Sequence, residues 1–401
     1  RRYEVENILL MNKRSIQGID VNGKTVLVRV DFNVPTRNGV ISDDSRIRAA
    51  LPTLNLLREG GAKVVICSHF GRPKGQVVED MRLGMVRERL SELLGAPVAD
   101  AGGPSGAQPA NVVSGLSSGE FALLENLRFE AGEEANTDDF AKFLASLADL
   151  YVNDAFGAAH RAHASTAGVA AHLAAYAGLL MERELEMLGR SLERSTGATI
   201  AIVGGAKVAD KIQVLRHLSA KVDTILVGGG MVAAFYVAQG RSGGAVDVSD
   251  EDKAAAKGLL ESGGANVVLP ADVITAPEFN ENSPATVCES GEVPLDGLIL
   301  DIGPRSATEY ARIIGIADTI IWNGPMGVFE WPEFAKGSVA VANAVADNKK
   351  ATSVIGGGST AEVVGSLGLV DKITHVSTGG GASLEFLEGK ILPGVAALDD
   401  A

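Results

Sequence analysis

Thr199-Ile-Ala-Ile-Val-Gly204-Gly205-Ala206-Lys207-Val208-Ala209-Asp210-Lys211 is the stretch on which the fold turns. Its β-branched apolar run reads as a strand buried on both faces, as in a parallel sheet. Two glycines stop the strand and let a ligand approach the backbone closely. A helical pattern follows, with Ile212, Leu215 and Leu218 on one face. Free N–H groups and the positive dipole end make such a helix start an anion site. Lys207 and Lys211 lie four apart and share a helix face if the helix starts early. A plain strand-to-helix turn with two surface lysines fits the same letters, and the rest of the chain separates the two readings.

Downstream, the same alternation repeats. Strands are expected over 224–227, 266–269, 298–301, 319–322, 353–355 and 373–376. Glycines punctuate four strand ends, at Gly204-Gly205, Gly228 to Gly230, Gly356 to Gly358 and Gly379 to Gly381. Ligands of parallel sheets bind beyond the carboxyl ends of strands, near a topological switch point. One such turn fits packing; four on one edge point to a nucleotide-sized crevice.

Upstream, strands over 25–30, 63–67, 121–124 and 150–153 alternate with helical patterns, which implies a second parallel sheet covered by helices. Ser42 or Asp43 can cap a helix with Ile47, Leu51 and Leu54 inward. His69, Arg72, Arg128, Arg161 and His163 follow strands, and Arg46 joins them from the helix. Taken singly, each Arg fits a solvated surface charge. As a set on one edge, Arg forks suit a phosphate and a carboxylate. Asp31 and Asn33 add an acceptor and an amide for a sugar-acid hydroxyl. Between the halves, Met181, Leu185, Leu188 and Leu192 recur at helical spacing, the pattern of an interdomain helix or an ordinary amphipathic one.

At 401 residues the chain exceeds one hydrophobic core, so two domains are expected. Lys plus Arg number 36 and Asp plus Glu 50, a net −14 that argues against nucleic acid and membrane partners. It leaves room for an anionic substrate, which responds to local charge. Cys67 and Cys288 form neither a disulfide framework nor a CxxC, which favours a reducing cytoplasm. No apolar run is long enough to span a bilayer. The first residues lack a signal-peptide pattern, and Arg1 to Leu10 precede Met11 as an upstream extension without a motif.

Other chemistries fit poorly. His160, His163 and Asp154 fall short of a zinc set, and Arg161 between the histidines opposes a cation. Gly228-x-Gly230-x-x-Ala233 and Gly356-x-Gly358-x-x-Ala361 match a dinucleotide fingerprint. Neither is followed at the right distance by a strand ending in an acid, so the dehydrogenase reading fails its second requirement.

Several long stretches resemble the phosphoglycerate kinase family. They are Val28-Arg29-Val30-Asp31-Phe32-Asn33-Val34-Pro35, Ser68-His69-Phe70-Gly71-Arg72-Pro73, Leu124-Glu125-Asn126-Leu127-Arg128-Phe129 and Tyr151 to Gly157. His160 to His163, Gly204 to Lys211, Trp322 to Glu330 and Ser377 to Ser383 continue the match in order. The resemblance implies an α/β protein of two lobes, each a parallel-sheet Rossmann-like sandwich, joined by a central helix and hinge. The lobes would be 11–180, with the tail 389–401 packing back on it, and 196–388, bridged by a helix over 181–195. It implies a monomeric, cytoplasmic glycolytic kinase that exchanges a phosphoryl group between 1,3-bisphosphoglycerate and ADP, giving 3-phosphoglycerate and ATP. Transfer would be direct and in line after hinge closure, with Mg²⁺ accompanying the nucleotide.

Position by position, the resemblance gives the phosphoglycerate to Asp31, Asn33, Arg46, His69, Arg72, Arg128 and Arg161. It gives the nucleotide to Lys207, Lys211, Gly228, Gly229, Gly230, Asn323, Glu330, Gly357, Gly358, Ser359 and Thr360. Arg46, Lys207, Gly380 and Gly381 would face the transferring group. The chain departs from the family at Ser359, where the usual pattern carries the aspartate that binds Mg²⁺, and at Ile299, where a glycine near the adenine is usual. Ser359 keeps a hydroxyl without a charge, which implies an active enzyme with a raised Mg²⁺ requirement. Loss of that carboxylate is also the one feature favouring a non-catalytic binding protein; Arg46, Lys207 and Lys211 oppose it.

Overall fold

The structure, a computed structural model, describes residues 12–193 and 197–401. The segment Arg1 to Leu10 and the end of the expected bridging helix, 194–195, lie outside the described residues.

The chain divides into two compact units, one running to Glu186 and taking in Ile391–Ala401, the other Met187–Lys390. The division falls inside the helix Leu179–Leu192.

The first unit holds β1 (Thr25–Arg29), a small hairpin of β2 (Thr36–Arg37) and β3 (Val40–Ile41), β4 (Lys63–Cys67), β5 (Val98–Asp100), β6 (Phe121–Leu123), β7 (Leu150–Asn153) and β8 (Ala175–Ala177). Six of them form one parallel sheet in the order β5-β6-β4-β1-β7-β8. The run Val26-Leu27-Val28 is wholly buried, because helices cover both faces of the sheet. Each such side chain contributes about 1.5–3 kcal/mol. The chain leaves β1 toward β4 on one side and later returns to β7 on the other, so the switch point lies between β1 and β7.

The second unit repeats the plan. Here β9 (Thr199–Gly204), β10 (Thr224–Gly228), β11 (Asn266–Val268), β15 (Thr319–Asn323), β16 (Thr352–Gly356) and β17 (His375–Val376) run parallel in the order β11-β10-β9-β15-β16-β17. The switch point falls between β9 and β15. Leu298–Ile302 is a strand as expected, but it is not part of this sheet. As β14 it pairs antiparallel with β12 (Asp272–Ala276), which also pairs with β13 (Thr286–Glu289). No helix separates β12 from β13, so they close as a hairpin instead of crossing over.

The tail folds into the first unit. Gly394 N–H donates to Ala159 O at 2.8 Å, Asn153 Nδ2 donates to Gly394 O at 3.1 Å, and Asp399 N–H donates to Ala175 O at 3.0 Å. Among the described residues, no helix is long and apolar enough to cross a membrane.

Candidate active site

In the first unit the site is built from the turns that follow β1, β4, β6 and β7. Past β1, Asn33 N–H donates to Asp31 Oδ1 at 3.2 Å, which fixes a tight turn. Asn33 Oδ1 accepts from Gly71 N–H at 2.9 Å, joining that turn to the one after β4. Asn126, after β6, is wholly buried and clamps the same loop. Its Oδ1 accepts from Phe70 N–H and Arg128 N–H, each at 3.1 Å, while Nδ2 donates to Phe70 O at 2.7 Å. Arg46 lies in the first turn of the helix Ser45–Glu59 and donates from Nη1 to Asp31 Oδ2 at 3.0 Å and Asn33 O at 3.2 Å. Arg128 donates to Gly71 O at 2.7 Å and pairs with Glu134 at 3.2 Å.

His69 sits in this cationic cluster. Burial, then Arg29, Arg128, Arg161 and Arg46, hold its imidazole well below the ordinary histidine range, so it is neutral near pH 7. His163 is held down to about 4 by burial and then by Arg128, Arg29 and Arg161. The structure thus brings together Asp31, Asn33, Arg46, His69, Arg128 and Arg161. Arg72 is exposed on the loop that carries Gly71.

Sequence reasoning missed what lies behind His69. Arg29, only 1% exposed, donates from Nε to Ser165 Oγ at 3.0 Å and from Nη1 to Val30 O at 2.6 Å. Its Nη2 stands 3.1 Å from His69 Nδ1. Ser165 passes hydrogen bonds on to buried Glu133, Oγ to Oε1 at 2.6 Å and N–H to Oε2 at 3.0 Å. Burial pushes the Glu133 carboxyl up, and Arg29 opposes that rise. A charged residue inside the apolar run of β1 was the available signal; Glu133 and Ser165 carried none.

In the second unit the glycine turns pack on one another at the carboxyl edge of the sheet. Gly229 has φ +75°, and a Cβ there would stand 2.5 Å from Gly205 O. Gly204 backs directly onto Pro325 O, leaving no room for a side chain. Met231 N–H donates to Gly205 O at 3.0 Å and Gly229 N–H to Met326 O at 2.8 Å. These turns need glycine for close backbone approach.

Asn323, at the end of β15, ties this edge together. Its Oδ1 accepts from Lys211 Nζ, and its Nδ2 donates to Gly356 O at 2.9 Å. Thr360 Oγ1 accepts from Gly324 N–H at 2.7 Å. Burial lowers the Lys211 ammonium, partly offset by Glu388 and Asp210. The shared lysine face does not form. A 3₁₀ turn, Ala209–Lys211, precedes the helix Ile212–Ser219, and Lys207 lies exposed before both. Gly357 and Gly358 lead into the helix Gly358–Ser366, with Ser359 exposed in its first turn; Gly380 and Gly381 open the helix Gly381–Leu387; Glu330 is exposed beyond β15.

These groups do not amount to a metal site. Ser359 offers one neutral hydroxyl, Thr360 Oγ1 already accepts from Gly324, and Asn323 Oδ1 holds Lys211. Among the described residues, no three His, Cys, Asp or Glu side chains are grouped to hold a metal ion.

Cations gather at the edge of one α/β unit, and close backbone turns line the edge of the other. The phosphoglycerate kinase family model matches residues 16–390. The chain is similar to the structure of phosphoglycerate kinase from Coxiella burnetii, at 41% identity and a TM-score of 0.87, with 96% of this chain and 98% of that one covered. It is also similar to the crystal structure of phosphoglycerate kinase from Pyrococcus horikoshii OT3, at 36% identity and a TM-score of 0.83, with the same coverage. The chain therefore belongs to the phosphoglycerate kinase family. Its activity is the family's glycolytic phosphoryl transfer between 1,3-bisphosphoglycerate and ADP, and the family uses ADP or ATP with a metal ion.

Proposed function

We propose that the first unit binds the phosphoglycerate through Asp31, Asn33, Arg46, His69, Arg72, Arg128 and Arg161. The observation that carries this reading is the convergence of Arg46, Arg128 and Arg161 on neutral His69. Such a cluster is costly by itself, because like charges repel; a bound phosphate and carboxylate would neutralise it. Asp31 and Asn33 hold Arg46 and leave it facing a ligand as a fork.

We propose that the second unit binds ADP or ATP through Lys207, Lys211, the Gly228 to Gly230 turn, Asn323, Glu330 and Gly357 to Thr360. Close backbone turns at a sheet edge support this reading. Mg²⁺ would arrive with the nucleotide, held by phosphate oxygens and water instead of by a protein carboxylate.

In the reaction proposed, an oxygen of the ADP β-phosphate attacks the acyl phosphate in line as the carboxylate leaves, after closure of the lobes. Little covalent help is needed, so alignment and charge neutralisation dominate. Arg46 would neutralise the moving group from the phosphoglycerate side and Lys207 from the nucleotide side, with backbone donors at Gly380 and Gly381. The helix Leu179–Leu192 would be the link between lobes 11–180 and 196–388. A cytoplasmic monomer is part of the same reading; Cys67, whose thiol burial pushes up to about 12, is inert there.

The test is ATP formation from ADP and enzymatically generated 1,3-bisphosphoglycerate under Mg²⁺ titration. Turnover that needs Mg²⁺ and falls sharply in Lys207→Ala supports the reading. A folded chain without turnover at any Mg²⁺ level favours a binding protein instead.

A further inference from the structure

We infer that Arg29 is a positioning residue that holds His69 as the neutral imidazole with its proton on Nε2. The inference rests on the reading of His69 as a phosphoglycerate contact.

The geometry is one-sided. Arg29 Nη2 stands 3.1 Å from His69 Nδ1, and a guanidinium carries donors only. Nδ1 therefore accepts, its lone pair is in use, and the ring proton belongs to Nε2. Asp31 Oδ1 stands 4.0 Å from Nδ1, beyond hydrogen-bond range. Arg29 cannot swing away. It is buried in β1, with Nε spent on Ser165 and Nη1 on Val30 O. Ser165 relays it to the buried carboxyl of Glu133. Arg46, Arg128 and Arg161 also disfavour an imidazolium, against the Asp31 carboxylate that faces the ring from 4.0 Å. His69 is left with one polar atom for a ligand, and that atom is a donor. An anionic oxygen would receive a hydrogen bond there without a further positive charge in a crowded cationic site.

Long-range proton–nitrogen correlation spectra of the full chain test this directly. Of the six histidines, His69 is assigned by its loss in His69→Gln. In the free protein near neutral pH, the expected spectrum has Nε2 protonated and Nδ1 as an unprotonated acceptor. A proton on Nδ1, as the other tautomer or the imidazolium, overturns the inference. Arg29→Met should lose the single-tautomer signature and raise the Michaelis constant for 3-phosphoglycerate about tenfold. Arg29→Lys, which keeps a donor, should restore part of both. An unchanged signature in Arg29→Met also overturns it. If that variant does not fold, the unsubstituted chain and Arg29→Lys decide. Adding 3-phosphoglycerate separates the two claims. An Nε2 signal that keeps its tautomer but ignores the ligand upholds the role of Arg29 and counts against His69 as a phosphoglycerate contact.

Discussion

Arg46 donates twice from a single nitrogen, Nη1, to Asp31 Oδ2 at 3.0 Å and to Asn33 O at 3.2 Å. The guanidinium is therefore anchored at one corner before any ligand arrives. An anchored fork loses little freedom when it meets a phosphoryl group, and its charge is in place as charge develops. Arg46→Ala should lower kcat by about 10²–10³-fold in steady-state kinetics. Arg46→Lys should recover little, because an ammonium cannot meet Asp31 and the ligand together. Full activity in the lysine variant would refute the fork.

Lys211 and Asn323 form the corresponding pair in the second unit. Lys211→Met should raise the Michaelis constant for ADP by about 10- to 100-fold, the range for a lost charged hydrogen bond. The affinity for 3-phosphoglycerate, titrated calorimetrically, should stay unchanged. Parallel losses for both ligands would count against the division of labour.

Gly229 is the backbone counterpart. Its φ of +75° and its approach to Gly205 O leave no space for a methyl group. Gly229→Ala should destabilise the second unit by about 2 kcal/mol or more and weaken nucleotide binding. Trp322 and Trp331, the two tryptophans of the chain, both belong to that unit, so fluorescence-detected unfolding reports on it selectively.

Ser359 tests the metal. Ser359→Asp places a carboxylate in the first turn of the helix Gly358–Ser366. It should lower the Mg²⁺ concentration for half-maximal turnover by roughly tenfold and tighten calorimetric binding of ADP in the presence of Mg²⁺. An unchanged Mg²⁺ profile would show that this position does not meet the metal.

Asp301 should make the stability of the second unit depend on pH. Burial pushes its carboxyl from 3.8 up to about 7, against hydrogen bonds from Gly337 N–H at 2.7 Å and Ile302 N–H at 2.8 Å and the charge of Lys336. Folding thus favours the protonated form. Its stabilising contribution is complete below the unfolded value and is lost as pH rises toward 7. A rise of about three pH units bounds the loss at about 4 kcal/mol. Asp301→Asn should flatten this dependence in urea unfolding followed by tryptophan fluorescence. A slope equal to that of the unsubstituted chain would exclude Asp301 as its source.

The parallel cores were legible because β-branched runs ending in glycine have few alternatives. Thr199 to Gly204 and Thr224 to Gly228 are strands for that reason. Short strands such as Ala175–Ala177 carry too few letters to show a period, and Asp272–Ala276 gives no hint that its partners run antiparallel. His69, Arg128 and Arg161 stand out in the sequence because they follow strands, whereas Arg46 comes from a helix. The support behind them was not. Glu133 looks like any other acid beside Glu134, and only the fold carries it beneath Ser165 and Arg29. Lys207 and Lys211 share a helix face only if the helix starts early, and the 3₁₀ turn Ala209–Lys211 delays that start.

The tail contacts have a bearing on biosynthesis. Ile391–Ala401 complete the first unit, yet a ribosome makes them after the whole of Met187–Lys390. The unit begun first is thus the one finished last, and its nascent form lacks the partners of Ala159 and Asn153. A chain stopped near Lys390 would carry an entire second sheet beside an unsealed first one, so quality control would meet the defect at the end of the protein opposite to the missing residues.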